Sequence, residues 1–224
     1  MKILSIGKVI AHASLDIISI TEAKLPSFEI HHFDYIIING GDGTIRRVIK
    51  ALKHCPSLPP FILNPTGSFN VVAKLHRVAK IQKVLEKLAQ GKDLRYKKQK
   101  VYTLNEEVFL FSAGNMGDLQ HIFIAESLRF GFLKKGLAKY ALAFIFLLPM
   151  HLVLTPFMLS SSKRFFVFTP FSFIKKFASF YGQVSSMKIE LQNPYNLIEL
   201  DGDIITIKEE TLNIAFLREL SIIT

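Results

Sequence analysis

An unbroken apolar run that ends in clustered glycines and then turns amphipathic is compatible with few folds. Residues 34–38 (Asp34-Tyr35-Ile36-Ile37-Ile38) read as a buried parallel strand. Asn39-Gly40-Gly41-Asp42-Gly43-Thr44 follows as a tight loop. Ile45, Val48, Ile49 and Leu52 then fall at helical spacing, with Arg46, Arg47, Lys50 and Lys53 on the other faces. The pattern repeats. Phe61-Ile62-Leu63 reads as the next strand, and Asn64-Pro65-Thr66-Gly67-Ser68-Phe69-Asn70 as a second loop. Ile81, Val84, Leu85 and Leu88 mark another helix, with Gly91 as its stop. The opening residues Met1 to Ile6 form too short an apolar run for a signal peptide and read as a first strand.

Strand and helix alternating in this way predict an α/β fold whose first part is a doubly wound parallel sheet. A ligand of such a sheet lies where strands end and helices begin, which is where both loops fall. After about residue 94 the pattern changes. Residues 95–104, 108–112, 187–192, 197–200, 204–208 and 212–217 are short β-type segments around a helical, Phe-rich middle, 119–159. The reading is therefore a nucleotide-binding α/β domain over residues 1–96 and a second, β-rich α+β domain over 97–224.

Three loops carry the candidate chemistry. Glycines without Cβ let the N–H groups of Gly40, Gly41 and Gly43 approach phosphate oxygens, and the following helix N-terminus favours the same charge. Asp42 suits a Mg²⁺, an ordered water or a hydroxyl, and Asp42 or Thr44 equally suits a helix cap. As a loop carboxylate, Asp42 is expected to add little to the core. In the second loop Gly67, Ser68 and Asn70 offer donors to a nucleotide; a plain turn would use the same residue types. Near the end, Leu200-Asp201-Gly202-Asp203 places two carboxylates either side of a glycine. That arrangement serves a metal or a general base, and it is also a common hairpin signal.

Taken together, the GGDGT loop, the Pro-x-Gly-Ser-x-Asn loop and the late Asp-Gly-acid element resemble the diacylglycerol kinase catalytic family, which includes bacterial lipid kinases and sphingosine kinases. The segments 107–118 and 135–140 are similar to the strand-then-glycine segment and following helix of that family. The resemblance implies an ATP- and Mg²⁺-dependent kinase that phosphorylates a lipid hydroxyl such as that of diacylglycerol. It implies ATP contacts from Gly40, Gly41, Asp42, Gly43, Thr44, Gly67, Ser68 and Asn70. It also implies metal ligation by Asp42 and Asp201, and catalysis by Asp203 as base with Asp201 and Asp42. The chain departs from the family pattern in four places, one of them a short stretch between the middle helix and residue 187. Val71 stands where the second loop usually has an acid, Asp203 replaces a glutamate, and the N-terminal Asn-Pro-x-x-Gly loop is absent from residues 1–33. This is a divergent, shortened pattern. It leaves two alternatives open, a catalytically degenerate binding protein and an NAD kinase-like enzyme. The latter family shares GGDGT, has an Asn-x-Gly after the next strand where this chain has Asn64-Pro65-Thr66-Gly67, and has an Asn-Glu pair, as at Asn105-Glu106.

Composition adds the partners. The net charge is +10, with 20 Phe and no Trp. The excess of cations suits anionic partners, and with the Phe-rich stretch 140–181 it predicts peripheral attachment to an anionic membrane surface. Residues 140–159 contain no charged side chain and are long enough to span a bilayer, but Pro149 and Pro156 interrupt them. The basic pairs are dispersed without a recognition motif, so no nucleic-acid partner is expected. A homo-oligomer is left open. The single Cys55 excludes an intramolecular disulfide and suits a reducing, cytoplasmic setting.

Overall fold

A computed structural model describes residues 1–115, 163–191 and 193–224, with single helical positions at 145, 148, 152, 156, 159 and 160. The chain divides into two compact units, Met1–Leu110 with Phe216–Thr224, and Phe111–Ala215.

The first unit is built on one sheet. Its strands are β1 (Lys2–Ile6), β2 (Asp16–Ile20), β3 (Tyr35–Gly40), β4 (Phe61–Pro65), β5 (Tyr96–Leu104), β6 (Glu107–Phe109) and the later part of β14 (Thr211–Ile223). Their order is β2-β1-β3-β4-β14-β5-β6. β1 pairs in parallel with β2 and β3, β3 with β4, and β4 with β14. Ile3, Leu4, Ile6, Ile36, Ile37 and Ile38 are fully buried, so side chains on both faces of these strands are covered. Ile3, Ile37, Ile62 and Ile223 pack with Val84, Leu85 and Leu88 of helix α3 (Ile81–Ala89). Helix α1 (Asp42–Ala51) buries Ile45, Val48 and Ile49, the stripe legible in the sequence. Its Arg46 is also buried and donates from Nη1 to Glu107 Oε2 at 3.3 Å, while Lys50 holds the other oxygen of Glu107. A guanidinium out of water needs such a partner.

The parallel-rich sheet confirms the expected α/β fold class. The compact units divide at another place than the boundary expected at 96/97. β5 and β6 pair with each other inside the first unit, and residues 216–224 rejoin it. The alternating pattern of 95–109 looked like the start of a β-rich domain because local sequence does not reveal a strand's distant neighbour.

The second unit holds a mixed sheet with the order β13-β12-β7-β8-β10-β9 among the described residues. These are β7 (Ser112–Gly114), β8 (Phe166–Phe168), β9 (Lys176–Phe177), β10 (Phe180–Tyr181), β12 (Asn196–Leu200) and β13 (Asp203–Ile207). β11 (Ser186–Glu190) pairs antiparallel with Thr211–Ala215 of β14. This is the β-rich part expected. The family-like segments 116–118 and 135–140 lie outside the described residues, as do residues 140–159 apart from the single positions named above. No helix among the described residues is long and apolar enough to cross a membrane.

Ile37→Ala tests the sheet–α3 packing. Removing a fully buried side chain and leaving a cavity should cost about 2–5 kcal/mol of stability, measured by urea unfolding. A loss below the error of that measurement would show that α3 does not depend on this face.

Candidate nucleotide-binding loops

The two glycine loops leave neighbouring strands in register, with Asn39 opposite Asn64 and Gly40 opposite Pro65. A short polar ladder fixes the strand ends. Asn64 Nδ2 donates to Asn39 Oδ1 at 2.8 Å, and Asn39 Nδ2 donates to Ser5 Oγ at 3.0 Å and to the Ile6 carbonyl at 2.9 Å. Ser5 and Asn39 are buried, so these bonds satisfy groups that water does not reach. Ser5 belongs to no motif and Asn39 was legible only as the start of the glycine loop; the signal for both is a polar residue near the end of an otherwise apolar strand.

Beyond this ladder the loops touch through their backbones. A Cβ placed on Gly41 would lie 3.1 Å from the Gly67 Cα. One placed on Gly67 would lie 2.7 Å from the Gly41 Cα and 2.9 Å from Asn70 Oδ1. Gly40 is equally constrained, because a Cβ there would strike the Thr44 side chain. Thr44 Oγ1 accepts from Arg47 at 3.1 Å. Asn70 sits in the left-handed region, φ 49°, and clasps its own loop: Oδ1 accepts Gly67 N–H at 3.0 Å and Nδ2 donates to the Gly67 carbonyl at 2.6 Å. Gly67 and Ser68 are exposed at the tip.

Asp42 is the residue whose role changes most. It is buried, at 7% exposure, inside the first turn of α1. Its Oδ2 accepts Val71 N–H at 2.7 Å and its Oδ1 accepts Val72 N–H at 3.0 Å. Both N–H groups open helix α2 (Val71–His76), so a carboxylate from the first loop caps the helix that follows the second. The expectation that Asp42 adds little to the core is thereby corrected. The loops of Gly40 to Thr44 and Gly67 to Asn70 are one assembly.

The late acids belong to the second unit. Asp201 and Gly202, with φ of 51° and 89°, form the two-residue turn joining β12 to β13, in which Leu200 pairs with Asp203. Positive φ at both turn positions is what the Asp-Gly hairpin signal anticipates. Asp201 is 4% exposed, and its Oδ1 accepts Phe111 N–H at 2.8 Å and Ser112 N–H at 3.0 Å. Asp203 opens β13 and is half-buried. Asn105-Glu106, the pair shared with NAD kinases, is likewise a hairpin turn, between β5 and β6, with Asn105 at φ 50°. Lys53 donates to Glu106 and holds that carboxyl below its usual range. Among the described residues, the metal-ligand types that gather in one place are Glu29, His31 and His32, all exposed.

Asp42→Ala leaves the Val71 and Val72 N–H groups at the start of α2, the second of them buried, without their carboxylate. It should lower unfolding free energy by about 1–3 kcal/mol. Asp42→Asn, keeping one acceptor oxygen, should lose less. Equal stability of both variants and wild type in urea titrations would refute the capping role.

Comparison with known proteins agrees with this geometry. Residues 18–101, which contain both loops, match the diacylglycerol kinase catalytic domain family. Two solved structures from Bacillus anthracis str. Sterne, each provisionally named a diacylglycerol kinase, superpose with TM-scores of 0.57 and 0.58. They are 15% and 14% identical, and each alignment covers 99% of this chain and 96% of the other. A NAD kinase from Archaeoglobus fulgidus is 52% identical over 33 residues, which is 15% of this chain and 13% of that protein's length. The resemblance to the diacylglycerol kinase catalytic family thus rests on residues 18–101, where the paired glycine loops lie, and the fold of the whole chain is that of the diacylglycerol kinase-like proteins.

Proposed function

We propose that the protein is an ATP-dependent lipid kinase that transfers the γ-phosphoryl group to a hydroxyl of diacylglycerol or a related lipid. The observation that carries this reading is the pair of loops meeting at Gly41 and Gly67. Their backbones approach so closely that no side chain fits, which is the surface a polyphosphate requires. α1 begins at the same place, and its N-terminal N–H groups favour an anion. Gly40, Gly41, Gly43, Thr44, Gly67 and Ser68 would face the nucleotide, while Asn70 and Asp42 hold the loops in shape.

The residues present do not fit Mg²⁺ as well as they fit phosphate. Asp42 and Asp201 are both buried, and both carboxylates already hold two backbone N–H groups. No step is assigned to a metal on either. In the transfer itself the lipid hydroxyl oxygen forms a bond to γ-phosphorus as the bond to the β-bridging oxygen breaks, and ADP departs. Asp203 would accept the hydroxyl proton, with Asp201 fixing the turn from which it projects. Positioning and charge neutralisation do most of the work in such a transfer. Aspartate is one methylene shorter than the family's glutamate, so the proton passes directly only if the hydroxyl comes closer, or else through one water.

The 33-residue match favours NAD kinase activity as the second reading. Radiolabelled ATP offered to a lipid panel, beside an assay of NADP formation, separates the two. Labelled lipid without NADP is expected; NADP alone would replace the proposal, and neither product would leave a binding protein. Asp203→Asn should lower lipid turnover by about 10²–10⁴ with ATP affinity nearly unchanged. Gly67→Ala should instead weaken ATP binding, measured by calorimetry, because its Cβ must push the Gly41 backbone away.

A further inference from the structure

The second unit presents an aromatic and cationic loop that the kinase reading does not use. Between Thr169 and Gly182 the sequence runs Thr-Pro-Phe-Ser-Phe-Ile-Lys-Lys-Phe-Ala-Ser-Phe-Tyr-Gly. Phe171, Phe173 and Phe177 are 47%, 79% and 65% exposed. Lys175 and Lys176 stand between them and are exposed too. Phe177 and Lys176 form β9, the edge strand of the mixed sheet.

This is not a slack loop. Ile174 N–H donates to the Phe171 carbonyl at 3.0 Å, and Gln183 Nε2 donates to the Ser172 carbonyl. Gly182 lies so close beneath that a Cβ there would sit 2.1 Å from the Phe171 carbonyl oxygen. Rings lead inward from the tip. Phe173 meets Phe171 at 5.7 Å, Phe171 meets Phe168 at 5.1 Å, and Phe168 meets the buried Phe111 at 6.3 Å. The fold holds three phenylalanines outward on a firm base, at the cost of leaving apolar surface in water.

Along this stretch of the chain the charge is of one sign. No aspartate or glutamate occurs between Glu126 and Glu190, an interval that contains nine lysines and arginines. Apolar rings flanked by cations, in a stretch of sequence without acids, match a surface that is anionic outside and hydrocarbon beneath.

We propose that the loop from Phe171 to Phe177 is a docking wedge for an anionic lipid bilayer. Phe171, Phe173 and Phe177 enter the boundary between headgroups and acyl chains, and Lys175 and Lys176 meet the phosphates. The wedge is a binding element only and stands apart from the kinase reading. It acts on any anionic bilayer, with or without a phosphorylatable lipid.

The test uses the full chain and vesicles of equimolar phosphatidylcholine and phosphatidylserine, with no diacylglycerol and no ATP. Failure of the kinase reading therefore leaves the result untouched. Since the protein has no tryptophan, Phe173→Trp installs a single fluorescent reporter at the tip. Its emission should shift to the blue with these vesicles and stay unshifted with pure phosphatidylcholine. Phe173→Ser with Phe177→Ser should weaken co-sedimentation at least tenfold. Lys175→Gln with Lys176→Gln should weaken it about thirty-fold, from about 1 kcal/mol per cation near such a surface. All four positions are exposed, and unchanged thermal melts would verify folding. The proposal falls if wild type does not sediment with the anionic vesicles, if the introduced indole stays in water while the protein sediments, or if both double variants bind like wild type. It falls equally if the Phe double variant only dissolves a dimer seen without lipid, since the patch would then cover a second copy of the chain.

Discussion

The first unit depends on one close approach, the backbone of Gly41 against that of Gly67. Two loops from adjacent parallel strands can meet there only because neither carries a side chain. That contact brings Asp42 within reach of α2 and explains an otherwise odd division of labour. Asn70 stands at the natural capping position of α2, but its amide is spent on both backbone groups of Gly67. The helix therefore takes its acceptor from the neighbouring loop. A charge that seemed destined for a ligand is what joins the two loops. The smooth, side-chain-free surface between them is the consequence.

Much of this was legible in the sequence, and its limits are instructive. The buried runs at 36–38 and 61–63, the amphipathic spacing of α1 and α3 and the positions of the loops all follow from local pattern. β2 escaped notice, because Asp16–Ile20 alternates burial at a sheet edge and carries no motif. The return of the chain to the first sheet escaped notice for another reason: β14 enters that sheet between β4 and β5, and no local signal records that insertion. The same holds for the candidate site. Residue type and spacing located Gly40 to Thr44 and Gly67 to Asn70. They did not distinguish an acid that binds a ligand from an acid that binds amides, which depends on what lies across the loop.

Asp201 repeats the lesson in the second unit. Its carboxylate turns inward to Phe111 and Ser112, while its neighbour Glu199 accepts from the Ser112 hydroxyl and from Gly202. The turn is thus anchored from below, and it is Asp203, one residue past the glycine, that stands at the start of the next strand. In both units an acid beside a glycine serves the backbone first.

The place of β14 carries a consequence for how the protein is made. Residues 216–224 belong to the first unit but follow the entire second unit in the chain. As a ribosome extrudes the polypeptide from its N-terminus, β4 and β5 emerge with the strand between them still unmade. The nascent first unit therefore waits, with the flanks of Phe61 and Val101 unsealed, until more than a hundred further residues have appeared. Long-range closure of this kind is slow, and the open sheet is exposed to wrong pairing meanwhile. The sheet of the first unit is therefore completed only after the second unit has been synthesised.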